Sequence, residues 1–194
     1  DSDNVAVVTN TYRDQNGYGV ELYTTDGVAE YELSNNVSAS NYSIGDMVSY
    51  RLTSESSKYA KVSYIKPATV RNATVQSLSS NRRSLTLNDG NTYVVKSDAL
   101  VFDLTNEDVN RLTRNDIIKN DASVSAISKY DYIEYVINSD EQIVAIFILD
   151  NYNDSGSGSG SGNNSSLPTA VITMSPRTNI TPSTQITWSF ADST

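Results

Sequence analysis

Carboxylates and phenols are the versatile reactive side chains of this sequence, because it holds no histidine and no cysteine. That removes thiol nucleophiles, disulfides, the usual zinc ligands and the one side chain whose unperturbed pKa lies near neutrality. Four carboxylate pairs lie close in sequence: Asp1/Asp3, Asp131/Glu134, Asp140/Glu141 and Asp150/Asp154. Two carboxylates can share acid and base duty at a glycosidic bond. These pairs, however, sit at turns and strand ends, where Asp bonds to its own backbone neighbourhood, and they read as solvated turn residues. No nucleophile, base and oxyanion donor can be grouped, so the expectation is a chain that is not an enzyme and has no catalytic residues. No cofactor is expected either. Calcium is the one ion an oxygen-rich surface would suit, although no EF-hand spacing occurs and DSDN alone is too short to enclose it.

Tyrosine is the second reactive class, with 13 copies. Tyr12, Tyr18, Tyr23, Tyr130, Tyr132 and Tyr135 could line a carbohydrate platform, but tyrosine is equally a strand former with a wet hydroxyl, and that reading is favoured. Asn-x-Ser/Thr sequons at Asn36, Asn41, Asn72, Asn164 and Asn179 are expected by chance in so polar a composition. The net charge is −9, and the 14 basic residues are scattered, which argues against nucleic acid or an anionic membrane as partner. No apolar run approaches the ~20 residues that cross a bilayer, and the chain reads as a mature fragment of something longer.

The elements that would position these residues are strands. VAVVTNTY (Val5 to Tyr12), YGVELYT (Tyr18 to Thr24), VAEYEL (Val28 to Leu33), IGDMVSYRL (Ile44 to Leu52) and YAKVSYI (Tyr59 to Ile65) carry β-branched and aromatic residues without a helical period. Asp26-Gly27 supplies a tight turn between the second and third, and Pro67 ends the set. Residues 1–67 are therefore a first module, a small barrel or strongly curled sheet.

Residues 68–154 repeat the pattern as a second module. SLTLNDGNTY matches ELYTTDGVAEY about an Asp-Gly turn, and Asn115-Asp116 stands where Gly45-Asp46 stands before MVSY. YIEYVIN (Tyr132 to Asn138) and QIVAIFIL (Gln142 to Leu149) form a final hairpin. The insertion TNEDVNRLTRND, with Thr105 and Asp108 spaced as a capping box and Val109 and Leu112 on one face, predicts one short helix capping a barrel end.

Residues 155–162 alternate Ser and Gly, and 155–166 read as a flexible linker with the regularity of an engineered spacer. Beyond it, residues 167–194 hold two alternating strand patterns about Pro176 and Pro182. The fold class is thus all-β, two barrel-like modules with one short helix and a tethered C-terminal strand pair. An isolated strand pair is marginal in water, so the tail needs a cover.

TLNDGNTYVVKSDALVFDLT together with YIEYVINSDEQIVAIFIL resembles the tandem β-modules of surface-layer proteins of spore-forming Gram-positive bacteria. The resemblance spans both modules, strongest from Leu85 to Leu149, and implies an exported, non-enzymatic structural protein at the bacterial cell surface. Such proteins carry S-layer homology domains for wall contact, and those domains are absent from this sequence. The tail resembles the first strands of a bacterial Ig-like or PKD-like domain and stops where such a domain would continue.

The expected function is assembly by β-strand complementation with copies of the chain or neighbouring surface-layer subunits. The tail is the donor strand, with Val171, Ile172, Met174, Ile186, Trp188 and Phe190 as anchors and Trp188 foremost. The strand from Gln142 to Leu149 is a candidate receptor edge. The alternative expectation is a carbohydrate- or peptide-binding surface module whose tail is the disordered start of a truncated domain.

Overall fold

The computed structural model describes residues 3–149, which belong to one compact unit spanning Asp1–Ser155. The linker and the tail, including Val171, Ile172, Met174, Ile186, Trp188 and Phe190, lie outside the described residues. The carboxylates of Asp1, Asp150 and Asp154 and the sequons at Asn164 and Asn179 do as well. The all-β expectation holds: eleven strands and a single α-helix are described.

The first sheet contains β1 (Asn4–Asp14), β2 (Gly17–Thr24), β3 (Gly27–Glu32), β4 (Met47–Leu52) and β5 (Val62–Pro67), in the order β3-β2-β1-β4-β5. β1 is long enough to serve two neighbours. Its start pairs with β4, from Asn4↔Tyr50 to Val7↔Met47, and its remainder pairs with β2, from Val7↔Tyr23 to Asp14↔Gly17. A parallel bridge, Leu33↔Val62, closes the sheet on itself. The order 1-2-3-5-4-1 that results is a small Greek-key barrel of the OB type.

The second sheet contains β6 (Arg71–Leu78), β7 (Ser84–Leu87), β8 (Thr92–Asp103), β9 (Asp121–Ala122), β10 (Tyr132–Ile137) and β11 (Gln142–Leu149). β6 repeats the division of β1, pairing with β10 over Arg71 to Thr74 and with β7 over Val75 to Leu78. β8 and β11 pair in parallel from Gln142↔Val94 to Ile148↔Asp103, with a break between Ile143↔Val95 and Ala145↔Leu100, so this barrel has the same strand order and is closed by a longer ladder than the first. Between its third and fourth strands lie α1 (Arg114–Lys119), β9 and a 3-10 turn at Val124–Ala126.

The helix is displaced from its expected place. Residues 105–112 form turns, because Thr105 donates from both its N–H and Oγ1 to the Asp103 carboxylate and Asp108 accepts from the Asn110 N–H. The capping box that forms is the next one: Asp116 N–H donates to Thr113 Oγ1 (3.2 Å) and Thr113 N–H donates to Asp116 Oδ2 (2.9 Å). Ile117 follows at a position that is fully buried, whereas Val109 is 44% exposed. Burial, absent behind Thr105, decides between two boxes of the same sequence form.

The match of Asn115-Asp116 to Gly45-Asp46 is likewise corrected, since the former lie in α1. The structural counterpart is Tyr130-Asp131. In each barrel a Ser three residues upstream donates its N–H to the Asp Oδ2, Ser43 to Asp46 at 2.9 Å and Ser128 to Asp131 at 2.7 Å. Each turn then exchanges two backbone bonds with the first strand of its barrel, through Val8 in one and Val75 in the other. The intervening residue has a positive φ in both, +95° at Gly45 and +74° at Tyr130. Tyr in place of Gly hides the repeat from a sequence comparison.

Three buried clusters result. Ala6, Val8, Val20, Leu22, Val48 and Val62 fill the first barrel, and Val75, Leu85, Leu87, Ile133, Ile146 and Ile148 are among those that fill the second. Between them a third cluster joins Val7 and Met47 to Phe102, Ile117, Phe147 and Leu149. VAVV in β1 and AIFIL in β11 are continuous apolar runs because both faces of each strand meet a core.

Candidate functional site

The junction between the barrels is the most elaborately built polar site among the described residues. Glu21 lies on β2 between Val20 and Leu22, so its side chain points to the face opposite the barrel interior. A β-bulge in β1 between Val8 and Asn10 leaves Thr9 outside the ladder and buried. Thr9 Oγ1 donates to Glu21 Oε1 at 2.7 Å, and Arg114 of α1 grips both oxygens, Nε to Oε1 at 2.5 Å and Nη2 to Oε2 at 3.2 Å. The carboxylate is only 7% exposed and the guanidinium 51%. Such a two-pronged pair fixes orientation as well as distance. The Arg114 hydrogen bond holds the Glu21 carboxyl below the usual carboxylate range against the opposing effect of burial, with help from Thr9.

Apolar contacts continue the junction. Tyr23 meets Phe102 edge-on at 5.0 Å between ring centroids, and Phe102 meets Phe147 likewise at 5.8 Å. Burial, then a hydrogen bond to Asp121 and that residue's charge, push the Tyr23 phenol up to about 12. Leu112 reaches from the insertion to Gly45, where a Cβ would lie 2.6 Å from Leu112 Cδ1. Glycine is therefore required there twice over, for the positive φ and for the approach.

A second feature is the unpaired side of β3. Gly27–Glu32 pairs with β2 on one side only. β5 is better covered, because Ser34 N–H bonds to the Val62 carbonyl and the Tyr42 hydroxyl to that of Ile65. Glu30 and Glu32 lie on β3, and across a cleft of about 350 Å³ stand Tyr12, Lys58 and Tyr59. Lys61 bridges to Glu32 at 3.0 Å, and Tyr59 is 77% exposed. The expected receptor edge, Gln142 to Leu149, is overturned: β11 is flanked by β10 and by β8, so it has no free side.

The remaining sequence candidates are dispersed. Asp3 pairs with Arg51 at 2.6 Å, Asp131 caps its turn, and Asp140 and Glu141 form the β10–β11 turn, with Glu141 at φ +58°. Burial raises the carboxyl pKa of Asp131 and Glu134. Tyr135 is buried in the second barrel, Tyr23 and Tyr132 pack at the junction, Tyr12 crowds Gly19, Tyr18 lies under Arg13, and Tyr130 occupies its turn. The six tyrosines that could have lined a carbohydrate platform are thus spread over two barrels and a core. Among the described residues no group of three or more metal-ligating side chains occurs, and no helix is long and apolar enough to cross a membrane.

Sequence reasoning missed the junction. Glu21 within GVELY looked like the outward residue of an alternating strand, and nothing local tells water from a second barrel. The cue present was a charge inside the most apolar part of β2.

No known family profile matches the chain, and no curated protein does. Among solved structures, Drosophila Unr CSD456 is similar over 79% of this chain at 14% identity, with a TM-score of 0.27. The chain spans 63% of that structure's length. A likeness at that score carries no weight for fold or function.

Proposed function

We propose that the protein is a non-enzymatic, extracellular structural unit of a bacterial surface layer or filament, and that it assembles by β-strand complementation. The unpaired side of β3 carries this reading. It offers main-chain N–H and C=O groups along Gly27–Glu32, the kind of edge that a donated strand completes.

The donor is the chain's own tail, or that of a neighbouring copy. Residues 167–190 contain one charged residue, Arg177, and no carboxylate, which suits an edge bearing Glu30 and Glu32. Charged side chains on an edge strand also discourage indiscriminate pairing. The spacer is long enough: a Gly/Ser-rich linker with the length and composition of residues 155–166 would span about 20 Å on average, comparable with a small barrel, and would hold the tail at an effective concentration on the order of millimolar. Val171, Ile172, Met174, Ile186, Trp188 and Phe190 supply the anchors, one alternate set facing the receptor. The junction supports the same role, since a bidentate pair whose carboxylate is buried and a shared core resist bending between barrels under load.

The absence of cysteine makes a direct test simple. Val28→Cys is paired in turn with Ile172→Cys, Thr173→Cys, Ile186→Cys and Thr187→Cys under mild oxidation. Efficient crosslinking of at least one pair, within a chain when dilute or between chains when concentrated, is expected. Absence of crosslinks in all four, with a control cysteine pair across β2 and β3 forming normally, contradicts the proposal.

A further inference from the structure

The second barrel carries an open groove of about 740 Å³ where β8 leaves its neighbours. Between the pairs Ile143↔Val95 and Ala145↔Leu100 the ladder is interrupted, so residues 96–99 bulge out of the barrel wall opposite the single residue Val144. The β6–β7 loop forms the facing wall. Arg82, held at φ +58°, turns its guanidinium under that wall and donates to the carbonyls of Ser125 (3.1 Å) and Ile127 (2.6 Å), fixing the 3-10 turn beside the groove.

The charges in this groove oppose those of the chain. Arg82, Arg83 and Lys96 all line it and no carboxylate does, in a protein with 23 acidic and 14 basic residues. Lys96 has one acidic neighbour, Asp98 at 3.3 Å, with both side chains about half exposed. The Arg83 guanidinium has no partner among the described residues. Fixed positive charges in a concave, partly apolar site focus field toward an anion. Asn81, Gln142 and Ser97 add hydrogen-bonding groups suited to hydroxyls.

We infer that this groove binds an anionic polysaccharide, a sugar chain carrying carboxylate or phosphate groups. Arg83 and Lys96 meet the charge, while the amide and hydroxyl groups meet the sugar hydroxyls. Nucleic acid fits less well, because no aromatic ring lines the groove for a base to stack upon. The inference is independent of the tail, since the groove and the β3 edge belong to different barrels.

The test uses the full chain and four probes: polygalacturonate oligomers, phosphorylated dextran, neutral dextran and poly-dT, measured by titration at low and moderate salt. One of the two anionic sugar polymers should bind, more weakly as salt rises, and which one does distinguishes carboxylate from phosphate. The double variant Arg83→Gln/Lys96→Gln should lose about tenfold or more in affinity, as expected when two charge-assisted contacts are removed. A control with the same charge change, Arg13→Gln/Lys129→Gln, should bind as the parent does. Equal loss in both variants, dextran binding as tightly, poly-dT binding more tightly, or no binding of either anionic polymer would overturn the assignment. Unchanged melting of both variants excludes misfolding as the cause of a loss.

Discussion

Glu21 is buried with a full set of partners, whereas Glu134 is half-buried and has none among the described residues. Their pH dependences should therefore be opposite. The Glu21 carboxyl is held below its unfolded value near ~4.3, so its stabilising effect is complete above that value and is lost as pH falls through the lowered one. The Glu134 carboxyl is raised by burial, so ionising it costs stability above the raised value, and that cost disappears as pH falls toward ~4.3. We predict that Glu21→Gln lowers the urea midpoint at pH 7 and narrows the gap to the parent at pH 3. Glu134→Gln should raise the midpoint at pH 7 and leave it nearly unchanged at pH 3. Equal shifts at both pH values would show that neither charge acts through its ionisation. Neither residue announced this in the sequence, where both look like outward strand positions; a facing element, not a neighbour in the chain, decides their surroundings.

At the level of elements, strands were legible and their partners less so. β1, β2, β3, β10 and β11 fall within a few residues of their apolar runs, because period-two patterning and Gly or Asp turns are local signals. The helix was misplaced because two Thr-x-x-Asp boxes compete and only burial of Ile117 chooses between them. The repeat of the Ser-x-x-Asp turn was obscured for a similar reason: Tyr130 tolerates a positive φ where Gly45 is demanded by Leu112. Gly45→Ala should accordingly destabilise by more than about 1 kcal/mol, and by less in a Leu112→Ala background, where the close approach is relieved. Thermal unfolding separates the two, and an equal cost in both backgrounds would remove the role assigned to Leu112. Phe102→Ala, which opens the shared core between two edge-on rings, should cost about 3–5 kcal/mol, checked by urea unfolding.

At the scale of the molecule, the described residues form two barrels of one strand order, joined through a core that neither possesses alone. Internal similarity around the Asp-Gly turns made the repeat readable, whereas the junction was not, because it is formed by outer faces of strands already assigned to their own barrels. A junction of this kind should make unfolding cooperative: one transition in the parent, and two when Arg114→Met removes the grip on Glu21. The proposed assembly rests on the unpaired side of β3 and on the tail. The decisive measurement is amide hydrogen exchange over residues 27–32 and 167–190 at two protein concentrations a hundredfold apart. Slow exchange in both segments at both concentrations, or appearing together at the higher one, is predicted for a donated strand completed within or between chains. Fast exchange of the tail at both concentrations, with β3 no slower than other one-sided strands, would contradict strand complementation.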